Sequence, residues 1–218
     1  ATWSIDKLNS TIIKLYKASL LNSKLLQTVK TESFKPIINK GENSANLRPT
    51  LYDFLCHRAL AFFMNDEQDL TKPAYQFTIN EAAAFSPVRD FVSAQFKTND
   101  TASLHHSAIE LFQDILQFHQ SDVNADALLD ADLIRLNFIY QYAVNENKTE
   151  LYEAALKEIE AKYAPNSAVA QAMYLRAQIY YSKGGDYNPL LITANQYEIK
   201  RAKELCEKAI AAYPKSEG

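Results

Sequence analysis

The sequence predicts an all-α protein built from antiparallel helix pairs, on three observations. Apolar residues recur at three- and four-residue intervals along most of the 218 residues, the spacing of helices with one buried stripe. Glycine numbers only 4 and proline 7, too few for the turn chemistry of a β-rich chain. Near the end, Ala170, Met173, Ala177 and Tyr180 form one stripe that stops at Gly184-Gly185, and Ala202, Cys206 and Ala209 form a second, closed by Pro214. Small residues where two backbones cross, with a proline after the second helix, mark a helical hairpin.

In chain order, Ile5, Leu8, Ile12, Leu15, Tyr16, Leu20 and Leu25-Leu26 predict a helix from Ile5 to about Val29. Lys7, Lys14, Lys17 and Lys24 lie between them and read as the solvated face of an amphipathic helix, a membrane or partner face being the alternative. Residues 33–46 read as an irregular connector. A helix then starts near Pro49-Thr50, where Thr50 and Asp53 resemble a capping box, and runs to about Met64. Around 70–80 the helical period disappears; Tyr75, Phe77 and Ile79 alternate with polar residues. An extended arm is expected there, with those three side chains anchored in grooves between helices.

Ser86-Pro87 predicts a short helix through about Phe96. A stronger one follows from Ala102 to Gln120, with Leu104, Ala108, Leu111, Phe112, Ile115, Leu116 and His119 on one face. Ala125–Asn145 and a partner opening at the capping signature Asn147-Lys148-Thr149-Glu150 form a hairpin. Ala168–Tyr181 and Gln196–Tyr213 form the last pair.

Ala177, Tyr180, Gly184, Ala202, Ala209 and Pro214 follow the pattern of a tetratricopeptide unit, departing from it in the long connection Gly185 to Arg201. The preceding pair has the layout but carries Tyr and Leu where small residues belong. The expected architecture is therefore a tetratricopeptide-like right-handed array in one helical-repeat domain, 1–218. Residues 1–120 are its irregular helical part and 121–218 its two helix pairs. The turn-like end at Pro214-Lys215-Ser216-Glu217-Gly218 suggests a piece of a longer protein.

Composition excludes several functions. At 47% hydrophobic and 22% charged residues the chain is ordinary globular protein. Its net charge of -3 gives no electrostatic footprint for nucleic acid or an anionic membrane. Its 13 Tyr and 11 Phe suit thick interfaces between helices. Cys56 and Cys206 lack zinc-ligand spacing and read as buried thiols, with the redox compartment left open. No apolar run is long enough to span a bilayer, so direct membrane insertion is not expected, and residues 1–6 have no signal-peptide character.

Candidate chemistry is thin. Asp122-Val123-Asn124-Ala125-Asp126 begins like a calcium loop but puts Ala127 where glycine is needed and Leu133 where glutamate is needed, leaving a polar helix cap. His106 and Glu110 supply two metal ligands at best, with His105 adjacent, and a site needs three or four. His57 beside Cys56 points away from it on a helix. No nucleophile elbow, zincin, Walker or dinucleotide motif occurs. The expectation is a non-enzyme without metal or cofactor.

The run Leu47-Arg48-Pro49-Thr50-Leu51-Tyr52-Asp53-Phe54-Leu55, with His57-Arg58-Ala59-Leu60 and Phe62-Phe63, resembles a segment of the alpha-2-macroglobulin-like proteins of Bacteroides-type bacteria. Leu70-Thr71-Lys72-Pro73-Ala74-Tyr75 and Ala202–Ile210 with Pro214 and Ser216 resemble the same region, so the likeness runs over most of the chain. It implies a helical segment preceding β-sandwich macroglobulin domains, in an exported cell-envelope protein whose whole chain traps or inhibits proteases. The family's thioester needs Cys-x-Glu-Gln, whereas Cys206 precedes Glu207-Lys208, so no functional residue carries over. Asp100-Thr101-Ala102 resembles the O-glycosylation acceptor of such bacteria; helix capping by Asp100 accounts for it equally.

The sequence thus points to a non-catalytic scaffold or protein-interaction module, partnered by other domains of its parent, in the periplasm or outer envelope. The alternative is a glycan or small-molecule binder using the 185–201 connection, with Tyr187 and Tyr197 as its contact residues.

Overall fold

The computed structural model describes residues 3–38, 41, 46–65, 75–191 and 193–216. Among them the chain is all-α: α1 (Ile5–Ser19), α2 (Ser23–Thr28), α3 (Leu51–Phe63), α4 (Val88–Ser93), α5 (Leu104–His119), α6 (Asp126–Tyr142), α7 (Lys148–Lys162), α8 (Val169–Gly185) and α9 (Glu198–Ala212), with 3-10 turns at Thr31–Phe34 and Ala82–Phe85. Lys30 and Thr50 form an isolated antiparallel bridge. Contacts divide the chain into two compact units, Ala1–Thr78 with Val92–Arg135, and Ile79–Phe91 with Leu136–Gly218. The border therefore falls inside α6.

In the first unit the long helix expected from Ile5 to Val29 is broken. α1 stops at Ser19, whose hydroxyl donates to the Tyr16 carbonyl, and α2 restarts at Ser23. The Ser19 bond is of the local side-chain-to-backbone kind that competes with a helix, whereas Asn22 makes no side-chain cap bond to α2. Beyond α2, Thr31 N–H donates to Pro49 O and Leu51 N–H to Val29 O, closing the connector on itself; residues 39–40 and 42–45 of it lie outside the described residues.

α3 opens on the expected capping box. The Thr50 hydroxyl oxygen accepts from Asp53 N–H, and Asp53 Oδ2 accepts from Thr50 N–H at 2.8 Å. This arrangement satisfies two amides that a helix start leaves bare. α3 packs on α5, α2 and α1, burying Tyr52, Cys56, Ala59, Leu60 and Phe63. Tyr52 meets Phe118 edge-on at 5.6 Å, and Tyr16 of α1 lies against Phe62 and Phe63. α5, capped by Ser103, buries all seven residues of its expected stripe. α6 buries Leu128, Leu129, Ala131, Leu133, Leu136, Phe138 and Ile139, and with them the polar Asp132 and Arg135, so burial is not confined to one stripe.

The arm around 70–80 has neither helix nor strand from 76 to 81, and 66–74 lie outside the described residues. Phe77 and Ile79 are buried as expected, but Tyr75 is exposed. Phe77 N–H donates to Asp100 Oδ2, and Tyr75 lies before that tie, in a turn. Asp100 therefore anchors the arm and does not cap α5. α4 ends at Ser93, short of Phe96.

In the second unit Ile79 O accepts from Val144 N–H and Asn80 O from Asn145 Nδ2. The expected cap by Asn147 is absent; Asn147 makes no side-chain cap bond, and Asn145 Oδ1 accepts from its N–H instead. The stacked rings of Tyr140 and Tyr152, 4.4 Å apart, join the end of α6 to the start of α7. Tyr180 reaches back to Glu153 and Arg176 to Glu160, so α7 and α8 run in opposite directions. α9 is antiparallel to α8: Gly184 at the end of α8 touches Ile199 at the start of α9, and the Tyr213 hydroxyl donates to the Ala164 carbonyl.

Candidate functional site

Two regions carry features beyond packing. The first is a buried polar cluster between α3 and α5. His119 Nε2 lies 2.6 Å from Asp53 Oδ1, and its Nδ1 2.7 Å from Asp122 Oδ2. Asp53 is fully buried and His119 nearly so, while Asp122 reaches solvent. Burial opposes charge on His119, but the hydrogen bonds and charges of the two carboxylates outweigh it and raise its pKa above the ordinary 6.5. Burial likewise opposes the charge on Asp53. The hydrogen bond and charge of His119, with the Thr50 hydroxyl and amide, nevertheless hold its pKa below the ordinary 3.8. The cluster is an imidazolium clasped by two carboxylates.

Its geometry favours fastening over catalysis. Both ring nitrogens are engaged, so neither is presented to a substrate. The carboxylates sit on different nitrogens and do not converge on one point; among the described residues no group of three or more His, Cys, Asp and Glu is placed to hold a metal ion. One turn along α3, burial is the main cause that pushes up the Cys56 thiol, and burial lowers His57 to about 3. These shifts run opposite to those of a thiolate and imidazolium pair. The 3.6 Å approach of His57 Nε2 to Asp130 Oδ2 is thus no ion pair, and Arg48, 3.5 Å from the same oxygen, supplies the positive charge. His106 is also structural, its Nε2 2.7 Å from Phe96 O and its ring edge-on to Phe77. Asp122 belongs to the His119 cluster, and Asn124 Oδ1 accepts from Asp126 N–H, so the calcium-like run is the polar helix start expected of it.

The second region is the connection between α8 and α9. α8 ends at Gly185, where the stripe was expected to stop, and α9 begins at Glu198, so the connection is 186–197, shorter than the expected 185–201. A Cβ at Gly184 would come within 2.5 Å of Ile199 Cγ1 and 2.8 Å of its backbone nitrogen, which explains a glycine here by close approach. Tyr187 is half-buried, its N–H donating to Gly184 O. Tyr197 is 69% exposed. Around it the connection shows what the sequence reading missed: Leu190 at 89% and Leu191 at 81% exposed, with Ile199 and Tyr181 also at the surface. The signal was available in Leu190-Leu191 following the turn former Asn188-Pro189, whose Oδ1 accepts from Leu190 N–H.

These features define an all-α protein with a clasped helix pair and an apolar surface connection. No protein-family model, curated protein or solved structure matches the chain.

Proposed function

We propose that the chain is a non-catalytic helical scaffold and protein-interaction module, with the 186–199 connection as its contact surface. The observation that carries this reading is the exposure of Leu190, Leu191, Tyr197 and Ile199 together at the end of the helix pair where α8 gives way to α9. Apolar groups of this kind, held at the surface by fixed helix ends, favour a protein partner. The tetratricopeptide-like array belongs to the same proposal, supported by the buried Ala177, Tyr180, Ala202 and Leu205 between α8 and α9.

On the resemblance given above, the partner is another domain of an alpha-2-macroglobulin-like parent in the periplasm or outer envelope, whose role is defence against proteases. Hydrogen exchange at 186–199 should be slower in the full-length parent than in the isolated chain. Equal exchange in both would remove this contact surface. Cell fractionation that placed the parent in the cytosol would remove the envelope assignment.

A glycan or small-molecule site remains the second reading, favoured by the exposed rings of Tyr181 and Tyr197. The two leucines weigh against it, since sugar recognition needs polar partners beside an aromatic platform.

A further inference from the structure

The chain's net charge averages over a strong local segregation. Between Asp6 and Glu32 it carries Lys7, Lys14, Lys17, Lys24 and Lys30 and no acidic residue, within a protein of net charge -3. The same segment forms α1 and α2, in which no described side chain is buried. Tyr16 turns toward α3, while Leu8 and Leu15, two turns apart and so on one line of the helix, are left exposed, as are Leu21 in the break and Leu25 beyond it. Lys7 and Lys14 are exposed as well, each about 100° round the helix from the leucine that follows it. Trp3 is half exposed, with Lys7 Nζ 4.9 Å from its ring centre.

We infer that α1 and α2 form a peripheral docking face for an anionic lipid bilayer, a role independent of the interaction surface at 186–199. The leucines and the Trp3 ring would enter the boundary between headgroups and acyl chains, with the lysine stems extended so that their ammonium groups meet lipid phosphates. Trp at the polar edge of an apolar strip suits that boundary. The segment 7–31 contains no arginine. Protein interfaces favour arginine and are depleted in lysine, whereas an anionic bilayer asks only for point charges and apolar depth. No helix among the described residues is long and apolar enough to cross a membrane, which fits a helix lying in the surface plane.

Trp3 is the only tryptophan and reports the outcome directly. The full chain is mixed with vesicles of phosphatidylcholine alone or with added phosphatidylglycerol, following Trp3 emission and co-sedimentation. The inference requires a blue shift and sedimentation with the anionic vesicles only, both weakening as salt is raised. Lys7→Glu, Lys14→Glu, Lys17→Glu and Lys24→Glu together should weaken binding by about a hundredfold or more. Leu8→Ser with Leu15→Ser should weaken it at unchanged far-ultraviolet circular dichroism. No shift, equal binding to neutral vesicles, or variants that bind like the parent sequence would overturn the proposal. So would sedimentation equilibrium showing a dimer that Leu8→Ser with Leu15→Ser dissolves, because the face would then belong to a second copy.

Discussion

The α3/α5 and α8/α9 pairs achieve the same end, two helices held in register, with opposite materials. α3 and α5 are fastened by charge: Asp53 divides its two oxygens between its own helix cap and His119 of the neighbouring helix. α8 and α9 are fastened by the absence of side chain, with Gly184 against Ile199 and Ala177 near Ala202. A charged fastening is specific and costly to leave half made, because the surviving partner stays buried and unpaired. A small-residue fastening depends on close approach and fails by overpacking.

The comparison is most open to test at His119. His119→Leu leaves the buried Asp53 carboxylate with Thr50 alone and is expected to cost about 3 to 5 kcal/mol, read as a lower urea midpoint. Asp53→Asn combined with His119→Leu should recover part of that loss. Titration provides a second readout of the same contact. His119 contributes stability that is fully present below its unfolded value of 6.5 and lost as pH rises through its raised folded value. Asp53 contributes stability present above its unfolded 3.8 and lost as pH falls through its lowered folded value. The urea midpoint should therefore be level between these values and decline on both sides, and His119→Gln should abolish the alkaline decline. An unchanged alkaline limb in that variant would show that the imidazolium is not what holds α3 to α5.

Gly184→Val comes next, at about 1 to 3 kcal/mol from overpacking against Ile199, with Gly185→Ala as the mild control because nothing lies within 4 Å of its added Cβ. Tyr180→Phe removes the 2.7 Å bond to Glu153 while leaving Lys157 and Lys183 beside that carboxylate, for about 1 kcal/mol. Leu190→Ser with Leu191→Ser should change stability by less than about 0.5 kcal/mol. A larger loss would mean that the connection supports the fold and does not merely display a surface.

The two pairs also differ in how far they could be read in advance. The stripes of α5, α8 and α9 and the Thr50/Asp53 cap are local patterns, repeated every turn or confined to one, and they survive folding intact. The His119–Asp53 contact joins residues 66 apart, and no local pattern announces it; His119 was legible only as one more member of an apolar stripe. The buried pair of Arg135 Nη2 and Asp132 Oδ1, 2.6 Å apart, was hidden for another reason, since on sequence alone such a pair reads as solvated surface. At Gly184-Gly185 the end of α8 was legible, but the close approach of Gly184 to Ile199 was not, because glycine both ends helices and permits such approach. Tyr187 and Tyr197 marked the right connection, while its most exposed side chains were the leucines between them.

The contact of Gly184 with Ile199 also separates two properties that usually change together. It fixes where α8 hands over to α9, so the chain between is a closed excursion whose ends are already held. Lengthening such a loop costs entropy that grows only with the logarithm of its length. Residues 188–191 are consequently a natural position for grafting: an epitope, a fluorophore tag or a binding peptide can be displayed there on a scaffold that does not need to be redesigned to receive it.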